Sequence, residues 1–162
     1  MISITQFKDC YTQDVIDLVL HFQNDGTRPF VTVKDQPDLL SIKESYINTG
    51  GNFWTAIDND RLIGSIGIMP YGKEIAVLKK FFVYEEYQEN PFHLGQKLYA
   101  VLLSFAKEKG FTTILLDTPH NTVRAHKFYE KAGFKKVDEK ELPLMFSHPY
   151  KDCDFFLLNI SK

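Results

Sequence analysis

The sequence predicts one mixed α/β (α+β) domain: a mostly antiparallel sheet flanked by about four helices, with one parallel strand pair. Two features predict the sheet. Residues 53–57, 62–69 and 74–84 are apolar-rich, strand-length runs separated by Asp58-Asn59-Asp60-Arg61 and by Pro70 with the turn Tyr71-Gly72-Lys73, so they fold back on one another as an antiparallel meander. The last of these runs is followed by an amphipathic, helix-length segment and then by another apolar strand. A strand–helix–strand unit closes as a right-handed parallel crossover. The length decides the rest: 162 residues suffice for one buried core and fit a single domain spanning residues 1–162.

The elements follow in order. Ile2 and Ile4, extended to Phe7, read as a first strand. Val15, Leu18, Val19 and Phe22 recur at helical spacing over residues 14–22, and Asp25-Gly26-Thr27-Arg28-Pro29 ends the pattern. A second helix is expected from Pro37, with Leu39, Ile42, Tyr46 and Ile47 inward, as far as Gly50-Gly51. After the meander, Leu94, Leu98, Val101, Leu102 and Phe105 form the stripe of a helix over residues 94–109, stopped by Gly110. Residues 112–117 complete the crossover. A further helix over residues 122–132 carries Ala125, Phe128, Tyr129 and Ala132 on one stripe and ends at Gly133. Residues 134–137 and 154–160 are the last strands, with residues 142–149 as a loop between them.

Composition narrows the function classes. A formal charge of −2 argues against nucleic acid as a partner, because phosphate binding shows as a basic excess. Lys79-Lys80 and Lys135-Lys136 read as solvated edges. Cys10 and Cys153 are far apart and lack metal or redox spacing, so two reduced thiols and no metal are expected. The first residues alternate like a strand rather than like a signal peptide, and no apolar run approaches membrane-spanning length. A cytoplasmic location and no membrane partner are the default expectation.

The chemistry concentrates at the crossover. Its helix begins at the carboxyl end of the preceding strand, where unpaired N–H groups and the positive end of the helix dipole make an anion site. Gly95 stands in that first turn, and without a side chain it lets an anion approach. Asn121 or Thr122 is placed to cap the next helix, and counting from there puts Tyr129 on the inward stripe with Ala125.

The string Ala125-His126-Lys127-Phe128-Tyr129-Glu130-Lys131-Ala132-Gly133-Phe134 resembles the A-x-x-F-Y-E-K-x-G-F signature of GNAT acyltransferases. The order of elements is similar over essentially the whole chain. The resemblance implies acetyl coenzyme A as acyl donor, an amine as acceptor, and a parallel strand pair that splays. The family's pyrophosphate pattern, Q/R-x-x-G-x-G/A, maps onto Asn90, Pro91, Phe92, His93, Leu94 and Gly95 with only the last position conforming. Anchored instead on Val83 and Tyr87, the pattern puts Gln88 in its Arg/Gln position and lengthens the loop. On this resemblance the cofactor-binding residues are Gln88, Asn90, and Phe92, His93, Leu94, Gly95 and Gln96 through their amides. Asn121 joins them, as do Phe82, Val83 and Tyr84, whose strand would present free backbone groups.

The implied reaction is direct transfer of the acetyl group to a primary amine in a ternary complex. A strand N–H would stabilise charge growing on the thioester carbonyl. Tyr129 matches the family's proton donor to the leaving thiolate; a phenol of pKa about 10 is protonated at neutral pH. For a general base the sequence offers Glu74, Asp117 and His120, a base acting through water, or none at all. The acceptor, a small-molecule or peptide amine, should be met by the loop after the first helix and by the last hairpin. The candidates there are Asp25, Asp35, Asp38, Glu44, His148, Tyr150 and Asp154. A monomer or homodimer is expected. The rival reading is a noncatalytic sensor of acyl coenzyme A, or an interaction module, on the same fold.

Overall fold

Seven strands form one sheet in the computed structural model of the chain, which describes residues 1–160. They are β1 (Ile2–Gln6), β2 (Asn52–Asp58), β3 (Arg61–Pro70), β4 (Ile75–Val83), β5 (Thr113–Pro119), β6 (Lys135–Val137) and β7 (Cys153–Asn159), in spatial order β1-β2-β3-β4-β5-β7-β6. Every neighbouring pair is antiparallel except β4 and β5, so the expected meander and parallel crossover are both present. The α-helices are α1 (Thr12–Gln23), α2 (Leu94–Lys109) and α3 (Val123–Lys131). None of the described helices is long and apolar enough to cross a membrane.

The apolar stripes explain the layers. Leu94, Leu98 and Leu102 of α2 pack with Tyr129 of α3 against Ile63, Ile66 and Leu78 on one side of the sheet. Val15, Leu18 and Val19 of α1 cover the other side, against Phe53, Ile57 and Leu62. A third cluster joins Val77 and Leu115 to Phe146, Cys153 and Phe155, so the loop before β7 is pinned beside the β4–β5 junction.

The second expected helix is not continuous. Residues Pro37–Leu40 make a 3-10 turn and Lys43–Ile47 a π-helical turn, the Asn48 N–H reaching the Lys43 carbonyl at 2.8 Å. The inward residues are as expected: Leu39, Ile42 and Tyr46 are buried. What breaks the helix is Ser41, whose extended φ of −146° lets the segment turn and brings the Tyr46 hydroxyl onto the Asp38 carboxylate at 2.6 Å. The segment then meets β2 at Gly51, where an added Cβ would lie 2.0 Å from the Ile68 carbonyl oxygen. The cap expected on α3 also differs. Thr122 precedes the helix, but its hydroxyl donates to the Pro119 carbonyl at 2.7 Å, and the Asn121 side chain turns away to Arg28.

One irregularity positions the site. β4 and β5 pair only at Ile75↔Thr113, Ala76↔Ile114 and Val77↔Leu115, and then part. On the other edge of β4 the register runs Ser65↔Phe82 and Gly67↔Lys79, so Ile66 alone faces both Lys80 and Phe81. This is a β-bulge, which bends its strand and sharpens the local twist. Lys80 takes the bulge conformation with φ +55°, and the Ser65 hydroxyl donates to its carbonyl at 2.7 Å. Ser65→Ala leaves that buried carbonyl without its side-chain donor, and should cost about 1–3 kcal/mol in urea unfolding, with the m-value unchanged.

Candidate functional site

The gap between β4 and β5 is bounded by the start of α2, by α3, and by the tail of β4. The Tyr84 N–H donates to the Ile63 carbonyl at 3.0 Å, so the backbone polar groups of Tyr84 face β3. By the alternation of an antiparallel pair those of Phe82 do too, while those of Val83 face the gap. The Val83 carbonyl is taken by Gln88 Nε2 at 2.8 Å, which leaves its N–H turned toward the gap. Of the three strand residues expected to present backbone groups, only Val83 does so.

Hydrogen bonds inside the loop before α2 decide which of its amides are occupied. The Phe92 and His93 amides both donate to the Glu89 carbonyl, at 3.0 and 3.1 Å. His93 sits at φ +43° and bonds through Nε2 to Asn90 Oδ1. These groups hold the loop together and are not free for a ligand. The amides of Leu94, Gly95 and Gln96, in contrast, find no partner among the described residues. An added Cβ on Gly95 would meet the Phe81 and Phe128 rings at 3.6 and 3.8 Å, so this first turn of α2 packs against β4 and α3. Arg124 at the start of α3 pairs with Glu89 at 2.6 Å and ties the loop to that helix.

Tyr129 projects from α3 into the same gap. It is buried, with its ring 6.4 Å from that of Phe81 and 5.6 Å from that of Phe134. Its hydroxyl makes no hydrogen bond to the described residues. Burial, and secondarily the charge of Asp117, push the phenol well above its usual range. Tyr99 of α2 stands behind it, its hydroxyl buried without a partner and pushed up to about 12 by burial.

On the opposite side of the gap lies a cavity of ≈ 440 Å³, lined among others by Asp35, Asp38, Lys79, Lys80 and His148. Its floor is Lys80, only 9% exposed. Lys80 Nζ donates to Gln36 Oε1 at 2.7 Å and lies 3.7 Å from the Asp38 carboxylate. Burial lowers the affinity of this amine for its proton, and Asp38 opposes that. Lys79-Lys80 is therefore not a solvated edge: the bulge turns the second lysine inward. A charged pair inside an otherwise apolar strand was the sequence signal for it. Asp117 of β5 sits at the same level. Burial raises its pKa, and the charges of Lys79, His148 and Lys80 pull it back. Asp117, His148 and Cys153 each bring a polar or sulfur atom within 4.8 Å of one another.

The remaining candidates have other partners. Glu74 is exposed at the closed end of the β4–β5 pair, where its carbonyl accepts from Thr112 and Thr113. Asn121 accepts from Arg28 at 3.0 Å beside a second cavity of ≈ 560 Å³. Arg28 also donates to the Phe22 carbonyl at 2.7 Å and lies over the Tyr150 ring, while Asp25 is bonded to Thr27 at 2.6 Å. The Asp35 carboxylate accepts from the Thr32 N–H at 2.8 Å, and Glu44 is exposed. The Tyr150 hydroxyl donates to the Gln23 carbonyl at 2.7 Å.

His120 is bracketed by two carboxylates, Asp154 on Nδ1 and Asp152 on Nε2, both at 2.6 Å. The hydrogen bond with Asp154 is the main cause that raises its pKa above 6.5. Burial pushes Asp154 up, but the bond from His120 and the charges of His120, Lys136 and His126 outweigh it and hold the carboxyl below 3.8.

Such an arrangement defines an α/β domain with an opening in its sheet, amides converging on one side and a polar cavity on the other. The chain belongs to the acetyltransferase (GNAT) family, whose profile matches residues 17–134. It is 29% identical over 116 residues to the probable N-acetyltransferase camello of Xenopus tropicalis, covering 70% of this chain and 52% of that protein. The chain thus spans about half the length of the curated relatives it matches. Among solved structures, an acetyltransferase from Streptococcus agalactiae superposes with a TM-score of 0.93 at 34% identity, over 98% of each chain. The N-acetylglutamate synthase of Neisseria gonorrhoeae, solved with coenzyme A and N-acetyl-glutamate, shares the fold: TM-score 0.75 at 14% identity, over 100% of this chain and 36% of that one.

The His120–Asp154 pair sets a pH window. The raised His120 contributes stability that is fully present below 6.5 and is lost as pH rises through its folded pKa. The depressed Asp154 contributes stability present above 3.8 and lost as pH falls through its folded pKa. Stabilisation by the pair is therefore complete only between those two values. His120→Gln should lower Tm most at about pH 5–6, and the difference from wild type should shrink as the pH is raised to about 9.

Proposed function

We propose that the chain is an N-acetyltransferase that moves an acetyl group from acetyl coenzyme A directly to a primary amine of a small molecule or peptide, in a ternary complex. The observation that carries this is the convergence on one gap of the unpartnered Leu94, Gly95 and Gln96 amides and the unpartnered Tyr129 hydroxyl. The residues fit the cofactor. Three free amides at the start of a 16-residue helix suit a pyrophosphate. When bound, acetyl coenzyme A supplies an activated acetyl group. The Val83 N–H, turned to the gap, would stabilise charge growing on the thioester oxygen.

Tyr129 holds its proton through the neutral range, because its surroundings disfavour the phenolate. It would donate a hydrogen bond to the departing sulfur. The same dry gap raises the proton affinity of a thiolate, so burial of the donor does not isolate it from its acceptor. The cavity across the gap, with Asp38 and Lys80 in its wall, would receive the amine.

The reading is tested first by binding. Acetyl coenzyme A at about 100 times its Kd should stabilise the protein by roughly 2.7 kcal/mol in thermal unfolding; no shift at millimolar excess removes it. Thiol release is then followed across spermidine, L-lysine, an aminoglycoside and a tripeptide with a free N-terminus. Tyr129→Phe should lower kcat about 10²-fold or more at nearly unchanged affinity for acetyl coenzyme A.

A further inference from the structure

We propose that His148 is the general base of this reaction, set in one tautomer by the Tyr150 carbonyl and supported by Asp117 as a positioning residue. The proposal rests on the acetyltransferase reading. His148 lies on the loop before β7 and lines the ≈ 440 Å³ cavity beside Lys79 and Lys80, just past the last β4–β5 pair at Val77. Its ring is held edge-on by Phe155 and Phe146, with centroids at 5.4 and 6.3 Å. Nδ1 lies within hydrogen-bond reach of the Tyr150 carbonyl. A carbonyl only accepts, so Nδ1 carries the hydrogen and the neutral ring keeps its lone pair on Nε2. Nε2 makes no hydrogen bond to any described residue.

The charges around the ring fit the role. Asp117 on β5 brings a carboxylate oxygen within 4.8 Å of a ring nitrogen, which favours the imidazolium formed on proton uptake. Lys79 and Lys80 on β4 oppose it, and Asp35 and Asp38 face it across the cavity. Cys153 on β7 is 3.7 Å from Nδ1, but its thiol is pushed up to about 12, by burial first, and stays protonated. The alternatives are otherwise engaged. Both nitrogens of His120 are on aspartates, Lys80 is a bonded donor, and Glu74 is at the closed end of the strand pair.

The step balances as follows. An ammonium acceptor in the cavity gives one proton to Nε2, its N–H bond breaking as the new one forms, and keeps the electron pair. That pair forms the N–C bond while the C–S bond breaks, and the C–S electrons leave on sulfur. The nitrogen sheds a second proton, matched by the one the sulfur gains. The proton on Nε2 returns to water, so one proton is released per turnover.

The first measurement needs no acceptor. Long-range proton–nitrogen correlation spectra of the labelled protein resolve its five histidines, with His148→Gln assigning the signal. A neutral His148 protonated on Nδ1 is expected; protonation on Nε2 overturns the proposal. The second uses the fastest acceptor from the panel above. In His148→Gln, kcat/KM should fall about 10²-fold or more and lose its acidic limb, with the thermal shift by acetyl coenzyme A retained. Imidazole added to His148→Ala should restore turnover. Asp117→Asn should lower kcat with the acceptor KM nearly unchanged, and an unchanged kcat removes Asp117 from the role. An active wild type with His148→Gln within threefold of it overturns this proposal alone. A wild type that binds acetyl coenzyme A but acetylates nothing overturns the acetyltransferase reading and this proposal together.

Discussion

The architecture turns on a single extra residue in β4. Because Lys80 and Phe81 together oppose Ile66, the strand bends after three paired residues with β5, and the sheet opens in its middle. A sheet opened this way exposes backbone groups that would otherwise be spent in a ladder. Every feature of the site is placed relative to that opening. The Val83 N–H is freed by it, α2 begins at its rim, Tyr129 projects into it from one side, and the polar cavity meets it from the other. The bulge is held by the Ser65 hydroxyl on its carbonyl and by the partners that hold Lys80 in its unusual backbone conformation.

The two sides of the opening differ in kind. The α2–α3 side is aromatic and dry, with the Phe81, Phe128, Tyr99 and Tyr129 rings packed edge to face. Its polar content is almost entirely backbone N–H, suited to an anion of fixed shape. The other side is a network of side chains. Gln23 and Gln36 bond to each other, Gln36 and Asp38 hold Lys80, and Tyr46 holds Asp38. Buried charge of this kind is costly unless each member is paired, and a connected set is rigid for the same reason.

Much of the fold was legible because its signals are local. The stripe from Leu94 to Phe105 and the stop at Gly110 predict α2 with the bounds it has, since helix period and cap are properties of contiguous residues. The turn sequence between β2 and β3 and the crossover after β4 were equally readable. The segment from Pro37 to Gly50 was not: its apolar residues point inward as expected, but Ser41 and the Tyr46–Asp38 bond divide it. In the loop before α2, sequence matching left two registers open. Hydrogen bonds of Phe92 and His93 to Glu89 decide which amides are free.

The sequence by itself determined the order of elements, the parallel crossover, the tyrosine on α3 and the helix start at Leu94, because each follows from spacing along a few consecutive residues. Tertiary structure alone decided that Lys80 is buried, that His120 is locked between Asp152 and Asp154, and that Asp117, His148 and Cys153 meet. The bulge in β4 turns Lys80 inward, and the packing of the Phe146 loop against Val77 and Leu115 brings His148 to Asp117 and Cys153. A charge reads the same in a sequence whether it ends in water or in the core; which of the two it meets depends on contacts between residues far apart in the chain.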